Sequence, residues 1–284
     1  MPKITLSAFS DEAGLTLKDQ IKAHIDCGIP YTEVRSINGI NVADFTVEDA
    51  KEYVKELEDN GISVWALGSP IGKEEITVDF SKYLDKVKHV FEIANAMKTD
   101  KIRAFSFFNA YNEKNKVFDY MNEMARISKD FGVTLYHENE KDIYGDVLAR
   151  VLEIMDNVKG WKYVYDPANY IQVGEKADDT INACFDKTDY FHIKDVIAKT
   201  EELVPAGYGD GKIFDIISRV KDDKTFTLEP HLRIFDSYKK IDNFELKTKL
   251  EFKTNIEAFT FAVKSLKELL VKAGYTEKDR TFIK

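Results

Sequence analysis

Cysteine is nearly missing from this chain: Cys27 and Cys184 are the only two among 284 residues. Two thiols cannot make a disulfide framework or a soft-metal site, so both are expected as unpaired, partly buried helix residues in a reducing compartment. Positive charge is in deficit, with 41 Lys and Arg against 50 Asp and Glu and a net charge of −9. A duplex-binding protein normally carries a basic face, so nucleic acid is disfavoured as a partner. No apolar run approaches the roughly 18 to 20 residues of a membrane span. The N-terminus opens on a strand pattern rather than a signal peptide, so a cytoplasmic protein without a membrane partner is expected. Neither GxGxxG nor a P-loop occurs, which argues against dinucleotide or nucleoside triphosphate use. Linkers and low-complexity tracts are absent as well.

What is present is regular alternation. Strand patterns at Lys3–Ala8, Tyr31–Arg35, Ile62–Leu67, Ile102–Phe107, Val133–Glu138, Lys162–Asp166, Tyr190–Lys194 and Thr225–Glu229 are separated by helical stripes. Leu17, Ile21 and Ile25 form one stripe, and Phe259, Val263, Leu266 and Leu270 the last. Gly28, Gly61, Gly132 and Gly160 close helices just before strands. Strand-helix units repeating without a break predict an α/β fold: a single (β/α)8 TIM barrel, one domain over residues 1–284, with a doubly wound open sheet as the alternative. Two stretches exceed what a barrel needs: 196–211 after strand 7 and 232–253 after strand 8. Both fall on the rim where TIM barrels build their sites. The second is expected to be a lid, a subunit contact or both.

Four strand ends each carry one metal-grade side chain. They are Tyr136-His137-Glu138-Asn139, Tyr165-Asp166-Pro167-Ala168-Asn169, Phe191-His192-Ile193-Lys194-Asp195 and Leu228-Glu229-Pro230-His231. Glu138, Asp166, His192 and Glu229 follow one another at intervals of 28, 26 and 37 residues, each long enough for a crossover. Three carboxylates and one imidazole suit one divalent ion, Mn²⁺ or Mg²⁺, with Co²⁺ or Zn²⁺ as alternatives. Such an ion acts as a Lewis acid on a sugar or hydroxycarbonyl compound. Glu138 and Glu229 would then approach the substrate from opposite sides of the ring as an acid/base pair, with an ene-diolate between the two proton transfers.

Strand alternation lets His192 and Lys194 converge, as it does Glu33 with Arg35 and Glu229 with His231. Lys194 is expected beside the developing oxyanion, or else in a salt bridge to Asp166 or Asp195. Glu33, Arg35 and His231 are candidate substrate contacts, and Trp65 is a candidate apolar wall for a sugar or simply core. Gly207–Gly211 precedes a helical segment and is read as a weak phosphate cradle, with Asp210 as an alternative helix cap. His24 and His89 are expected as packing or surface residues on helices, and His137 as pointing away from the centre.

These segments resemble the xylose isomerase-like TIM-barrel superfamily, specifically its sugar phosphate isomerase/epimerase group. The resemblance runs from the Tyr31-Thr32-Glu33-Val34-Arg35 strand to the last helix. It is most specific in His137-Glu138-Asn139-Glu140-Lys141, Asp166-Pro167-Ala168-Asn169-Tyr170, His192-Ile193-Lys194-Asp195, 205–211 and Leu228-Glu229-Pro230-His231-Leu232. It implies one divalent ion, often Mn²⁺, on Glu138, Asp166, His192 and Glu229, with the two glutamates as the acid/base pair of ketose epimerases. One position departs from the pattern: the ketose epimerases and endonuclease IV place a histidine three residues after the aspartate, where this chain has Asn169. In the epimerases that histidine helps hold substrate, so Asn169 becomes a candidate substrate contact and the substrate can differ from a free ketose.

The expectation is therefore a metal-dependent isomerase or epimerase of a small sugar or sugar phosphate, with a homo-oligomer as an option. A lyase or dehydratase of inosose type is the alternative. An abasic-site endonuclease is disfavoured, because five histidines cannot supply the histidine-rich three-zinc cluster it needs. A non-catalytic sugar-binding protein is less attractive with an intact ligand set.

Overall fold

A computed structural model describes residues 1–235 and 246–284. Eight parallel strands close on themselves: β1 (Lys3–Ala8), β2 (Tyr31–Val34), β3 (Ser63–Gly68), β4 (Lys101–Ala104), β5 (Thr134–Glu138), β6 (Lys162–Tyr165), β7 (Tyr190–Ile193) and β8 (Lys224–Leu228). Each pairs with its sequence neighbours, and β8 returns to β1 from Ile4↔Lys224 to Ala8↔Leu228. The result is a TIM barrel with helices between the strands, as the alternation predicts. No helix among the described residues is long and apolar enough to cross a membrane.

Helix starts follow local chemistry. Thr16 accepts from the Asp19 amide, and Thr46 and Asp49 form a reciprocal capping box. Gly28 and Gly132 then take the left-handed conformation that turns the chain toward the next strand. The helices bury their stripes against the strands in two large clusters, one spanning the β1/β8 side and the other β3 to β5. Cys27 and Cys184 are free and buried in these layers.

Two features differ from expectation. β4 stops at Ala104 rather than reaching Phe107, because the loop after β3 captures the following backbone. The Phe105 amide donates to Ile71 O and the Phe107 amide to Gly72 O, both at 2.8 Å, with Phe107 at φ 71°. The two chains run so close that a Cβ on Gly72 would lie 2.2 Å from Phe105 O. At the opposite end, a hairpin of Thr276–Lys278 and Thr281–Ile283 pairs antiparallel with Lys3–Thr5, below the point where β2 joins β1 at Ser7. Of the segment 232–253, expected as a lid or subunit contact, residues 236–245 lie outside the described residues.

Inside the barrel the two ends differ in chemistry. Trp65, Tyr136, Val164 and Tyr190 fill one level with rings and aliphatic groups. The level above, toward the C-terminal strand ends, holds buried charge.

His24 gives the fold a pH dependence. It is fully buried on helix Leu17–Cys27, with Nδ1 3.2 Å from Ile29 O. Burial lowers its pKa from 6.5 to about 4. The unfolded chain thus binds a proton below pH 6.5 that the folded chain refuses, so stability is complete above pH 6.5 and falls as the pH drops toward 4. The loss reaches about 3 kcal/mol at most. Thermal melts across this range should fall less steeply in His24→Gln than in the wild type; identical slopes would remove His24 as a cause.

Candidate metal centre

Each candidate ligand owes its position to its strand. Glu138 ends β5, and His192 lies within β7 with its side chain inward. Asp166 and Glu229 are the first residues beyond β6 and β8. All four are buried, and one ligand atom from each falls within 4.8 Å of the others. His192 Nδ1 is 3.0 Å from Glu138 Oε1 and 3.3 Å from Glu229 Oε2.

The Asp166-Pro167-Ala168-Asn169 segment shows how local rules aim a ligand. Asp166 caps the short helix Pro167–Gln172, with proline in its first turn. One carboxylate oxygen, Oδ1, accepts from the Asn169 amide at 2.9 Å. That leaves Oδ2 for the centre. Asn139 clamps the same residue by exchanging two 2.9 Å bonds with the Asp166 backbone.

Lys194 reaches in from the end of β7, its Nζ 3.0 Å from Asp166 Oδ2 and 3.9 Å from Glu229 Oε2. Even so, neither of those two buried oxygens accepts a hydrogen bond from the described residues. Burial, only partly opposed by Lys194, pushes Asp166 up to about 7, and Glu138 and Glu229 add to the rise. Burial would also raise Glu229, but Lys194, His192 and His231 hold it well below the usual carboxylate range. Burial would strip His192 of its proton, but Glu138 and Glu33 hold it well above its usual value. Without a cation the cluster therefore retains protons to offset its crowded negative charge. Two inward carboxylate oxygens with no hydrogen bond of their own, beside an imidazole nitrogen, fit a divalent ion, which would replace those protons.

Arginines hold both glutamates from behind. Arg35 Nη1 donates to Glu229 Oε1 at 2.9 Å. Its Nε and Nη2 grip Asp11 at 3.0 and 2.9 Å, and its guanidinium lies between Phe9 and Phe235. Arg103 Nε lies 3.1 Å from Glu138 Oε2, while its Nη1 donates to Ser69 O and its guanidinium lies over Phe105. Each glutamate thus turns one oxygen to the centre and the other to an arginine. His231 donates its backbone N–H to Glu12 Oε2, and its Nε2 lies 3.4 Å from both Glu12 Oε1 and Glu229 Oε1. Burial, with Glu229 and Asp11 adding, raises Glu12 to about 8 against the pull of Arg35.

A cavity of about 340 Å³ opens above the ligands. Arg35, Asn169, Lys194 and His231 line it, as do Glu138, Glu229, Lys73 and Phe105. Asn169 Nδ2 also donates to Asn139 O and lies 3.3 Å from Glu138 Oε1, so it braces a candidate ligand.

Two candidate substrate contacts lie elsewhere. Trp65 packs one level down, edge-on to Tyr31 and Tyr190. Glu33 sits beneath His192, its Oε2 3.2 Å from Nε2. The loop Gly207–Gly211 differs from the phosphate-cradle reading: the amides of Gly207, Gly209 and Gly211 all donate to the Asp195 carboxylate at 2.8, 3.1 and 2.8 Å. An internal anion fills the cradle. Asp210 caps no helix and instead accepts from the Ala198 amide. His137 points away from the centre and meets Ser106.

Asp11, Glu12, Arg103 and Asn139 are residues that the sequence reading missed. The available signal was position: all four stand at or just past C-terminal strand ends, where charge is costly to bury without a partner.

The profile of the xylose isomerase-like TIM barrel family matches residues 22–249. Similar solved structures include the probable 3-DHS dehydratase AsbF of Bacillus anthracis, involved in petrobactin synthesis (17% identity, TM-score 0.71, covering 94% of this chain and 99% of that one). The IolI protein with a bound zinc atom is 16% identical, with a TM-score of 0.71 over 94% of this chain and 98% of that one. An L-ribulose 3-epimerase is 18% identical, with a TM-score of 0.68 over 96% and 97%. No curated protein matches the sequence significantly.

Proposed function

The chain belongs to the xylose isomerase-like TIM barrel family, and on that premise we propose that it is a divalent-metal-dependent isomerase or epimerase of a small sugar. The observation that carries this reading is the convergence of Glu138, Asp166, His192 and Glu229 within 4.8 Å, two of which, Glu138 and Glu229, line the cavity. We assign Mn²⁺ as the metal, with Mg²⁺, Co²⁺ and Zn²⁺ able to use the same donors. When bound, the ion acts as a Lewis acid that makes the hydrogen next to a carbonyl easier to remove.

The residues divide the remaining work. Glu138 ends β5 and Glu229 follows β8, and the two divide the proton transfer: one takes a proton from the substrate carbon and the other returns one. Arg35 and Arg103 fix the carboxylates' orientation. The Lys194 ammonium faces the oxygen on which negative charge develops. Arg35, Asn169 and His231 line the space that substrate hydroxyls would fill. Because Asp195 saturates the glycine loop and Lys73 is paired with Glu140 at 3.0 Å, an unphosphorylated substrate fits better than a phosphate ester.

A lyase is the second reading. The same proton removal followed by loss of a hydroxyl as water needs a proton donor, and the buried Lys194 ammonium supplies one. Proton NMR of sugars and sugar phosphates with Mn²⁺-loaded protein in D₂O tests both. An isomerase or epimerase gives a product of unchanged composition carrying solvent deuterium at the reacting carbon. Loss of water moves the assignment to the lyase, and no turnover of any compound sinks the isomerase reading.

A further inference from the structure

We infer that Glu33 is a positioning residue: from beneath the floor it fixes the ring of His192 so that Nδ1 presents its lone pair to the cation. This rests on the metal-centre reading above. The imidazole has two nitrogens and, when neutral, one proton. Its Nδ1 faces Glu138 Oε1 and Glu229 Oε2, while Nε2 faces Glu33 Oε2 at 3.2 Å. A carboxylate only accepts hydrogen bonds, so once Glu138 and Glu229 turn their inner oxygens to a cation, Glu33 is the acceptor left for the ring's one proton, on Nε2. The nitrogen left unprotonated is the one among the other ligands. Were the ring to carry its proton on Nδ1, a cation would meet an N–H instead of a donor atom.

The surroundings make Glu33 itself immobile. It is 1% exposed on β2. Its Oε1 accepts from the Tyr190 hydroxyl at 3.1 Å and lies 4.0 Å from Arg103 Nε. Tyr190 and His192 are two residues apart on β7, and their rings meet edge-on at 5.6 Å. Phe9 closes another side of the imidazole at 5.2 Å. Glu33 does not line the cavity, so a role in holding substrate does not explain a carboxylate buried there. A partner for the far nitrogen of a metal-binding histidine does, and such partners typically govern metal affinity tenfold to a hundredfold.

The test uses the full chain, with Glu33→Ala and Glu33→Gln. Co²⁺ is the probe, its affinity read by titration calorimetry and its ligand field by visible absorption, with circular dichroism checking the fold. Folded Glu33→Ala is expected to bind Co²⁺ roughly 10- to 100-fold more weakly, with a shifted visible band. Glu33→Gln keeps an accepting oxygen but not the charge, and should fall in between. A folded Glu33→Ala with wild-type affinity and an unshifted band overturns the inference. If that variant does not fold, Glu33→Gln decides: wild-type affinity and band overturn it, and weaker binding with a shifted band supports it. Failure of the wild-type protein to bind Co²⁺ would instead sink the metal-centre reading on which this one stands.

Discussion

Glu229→Gln is expected to keep the fold and to lower kcat by roughly 10²- to 10⁴-fold, the usual scale for a lost acid or base. Glutamine preserves shape, and its amide oxygen can still accept from Arg35 Nη1, which donates to Glu229 Oε1 at 2.9 Å. Arg35 also retains both bonds to Asp11, so no buried charge is abandoned. What disappears is the charged oxygen Oε2, which faces His192 and Lys194 and accepts no hydrogen bond. Kinetics on the substrate found by screening should be paired with deuterium exchange into that substrate. With the variant shown to hold its metal, exchange is lost along with turnover if Glu229 removes the proton. Wild-type turnover in a folded Glu229→Gln protein would take the residue out of the mechanism.

Chelation should produce the second large effect. The three buried carboxylates repel one another in the metal-free state, and a cation that binds only the folded chain stabilises it by mass action. At a free ion concentration of 1,000 Kd the gain is about 4 kcal/mol. For a chain of this size that raises Tm by roughly 7 °C. Differential scanning calorimetry with EDTA and then with excess Mn²⁺ measures it. The gain should shrink toward pH 5, because carboxylates and imidazole must shed protons before they can bind. Asp166→Asn should lose most of the increment. Equal melting temperatures with and without divalent ions would contradict the assignment of the cluster as a metal centre.

Much of the frame could be read along the chain. Strand patterns at Lys162–Asp166 and Thr225–Glu229 differ from the observed β6 and β8 by one residue at an end or less. Asp166, His192 and Glu229 could be singled out because each is a charged or metal-grade residue in a short segment that otherwise reads as buried strand. The environment of each ligand was far less legible. Arg35 and Glu229 are 194 residues apart, and Glu33 and His192 are 159 apart. Reading Glu33 and Arg35 together as substrate contacts used only their shared parity on the expected strand Tyr31–Arg35, which the structure ends at Val34. Parity puts both side chains inside the barrel but does not give their height, and the two differ: one lies under the imidazole and the other beside the cavity. Trp65 was ambiguous for the same reason. In the loop 205–211, glycine spacing indicated a nest of amides without revealing that Asp195 fills it.

By itself, then, the sequence determined that strands and helices alternate around a closed sheet and that one end of that sheet collects carboxylates and an imidazole. Periodicity, caps and crossover lengths are local properties, written within a few residues of one another. Only the closed barrel decided which oxygen of each glutamate faces inward, which arginine stands behind it, and which carboxylate takes the far nitrogen of His192. Those pairings join side chains from separate strands, and their distances depend on how the strands stagger as the sheet closes, a quantity that no short stretch of chain encodes.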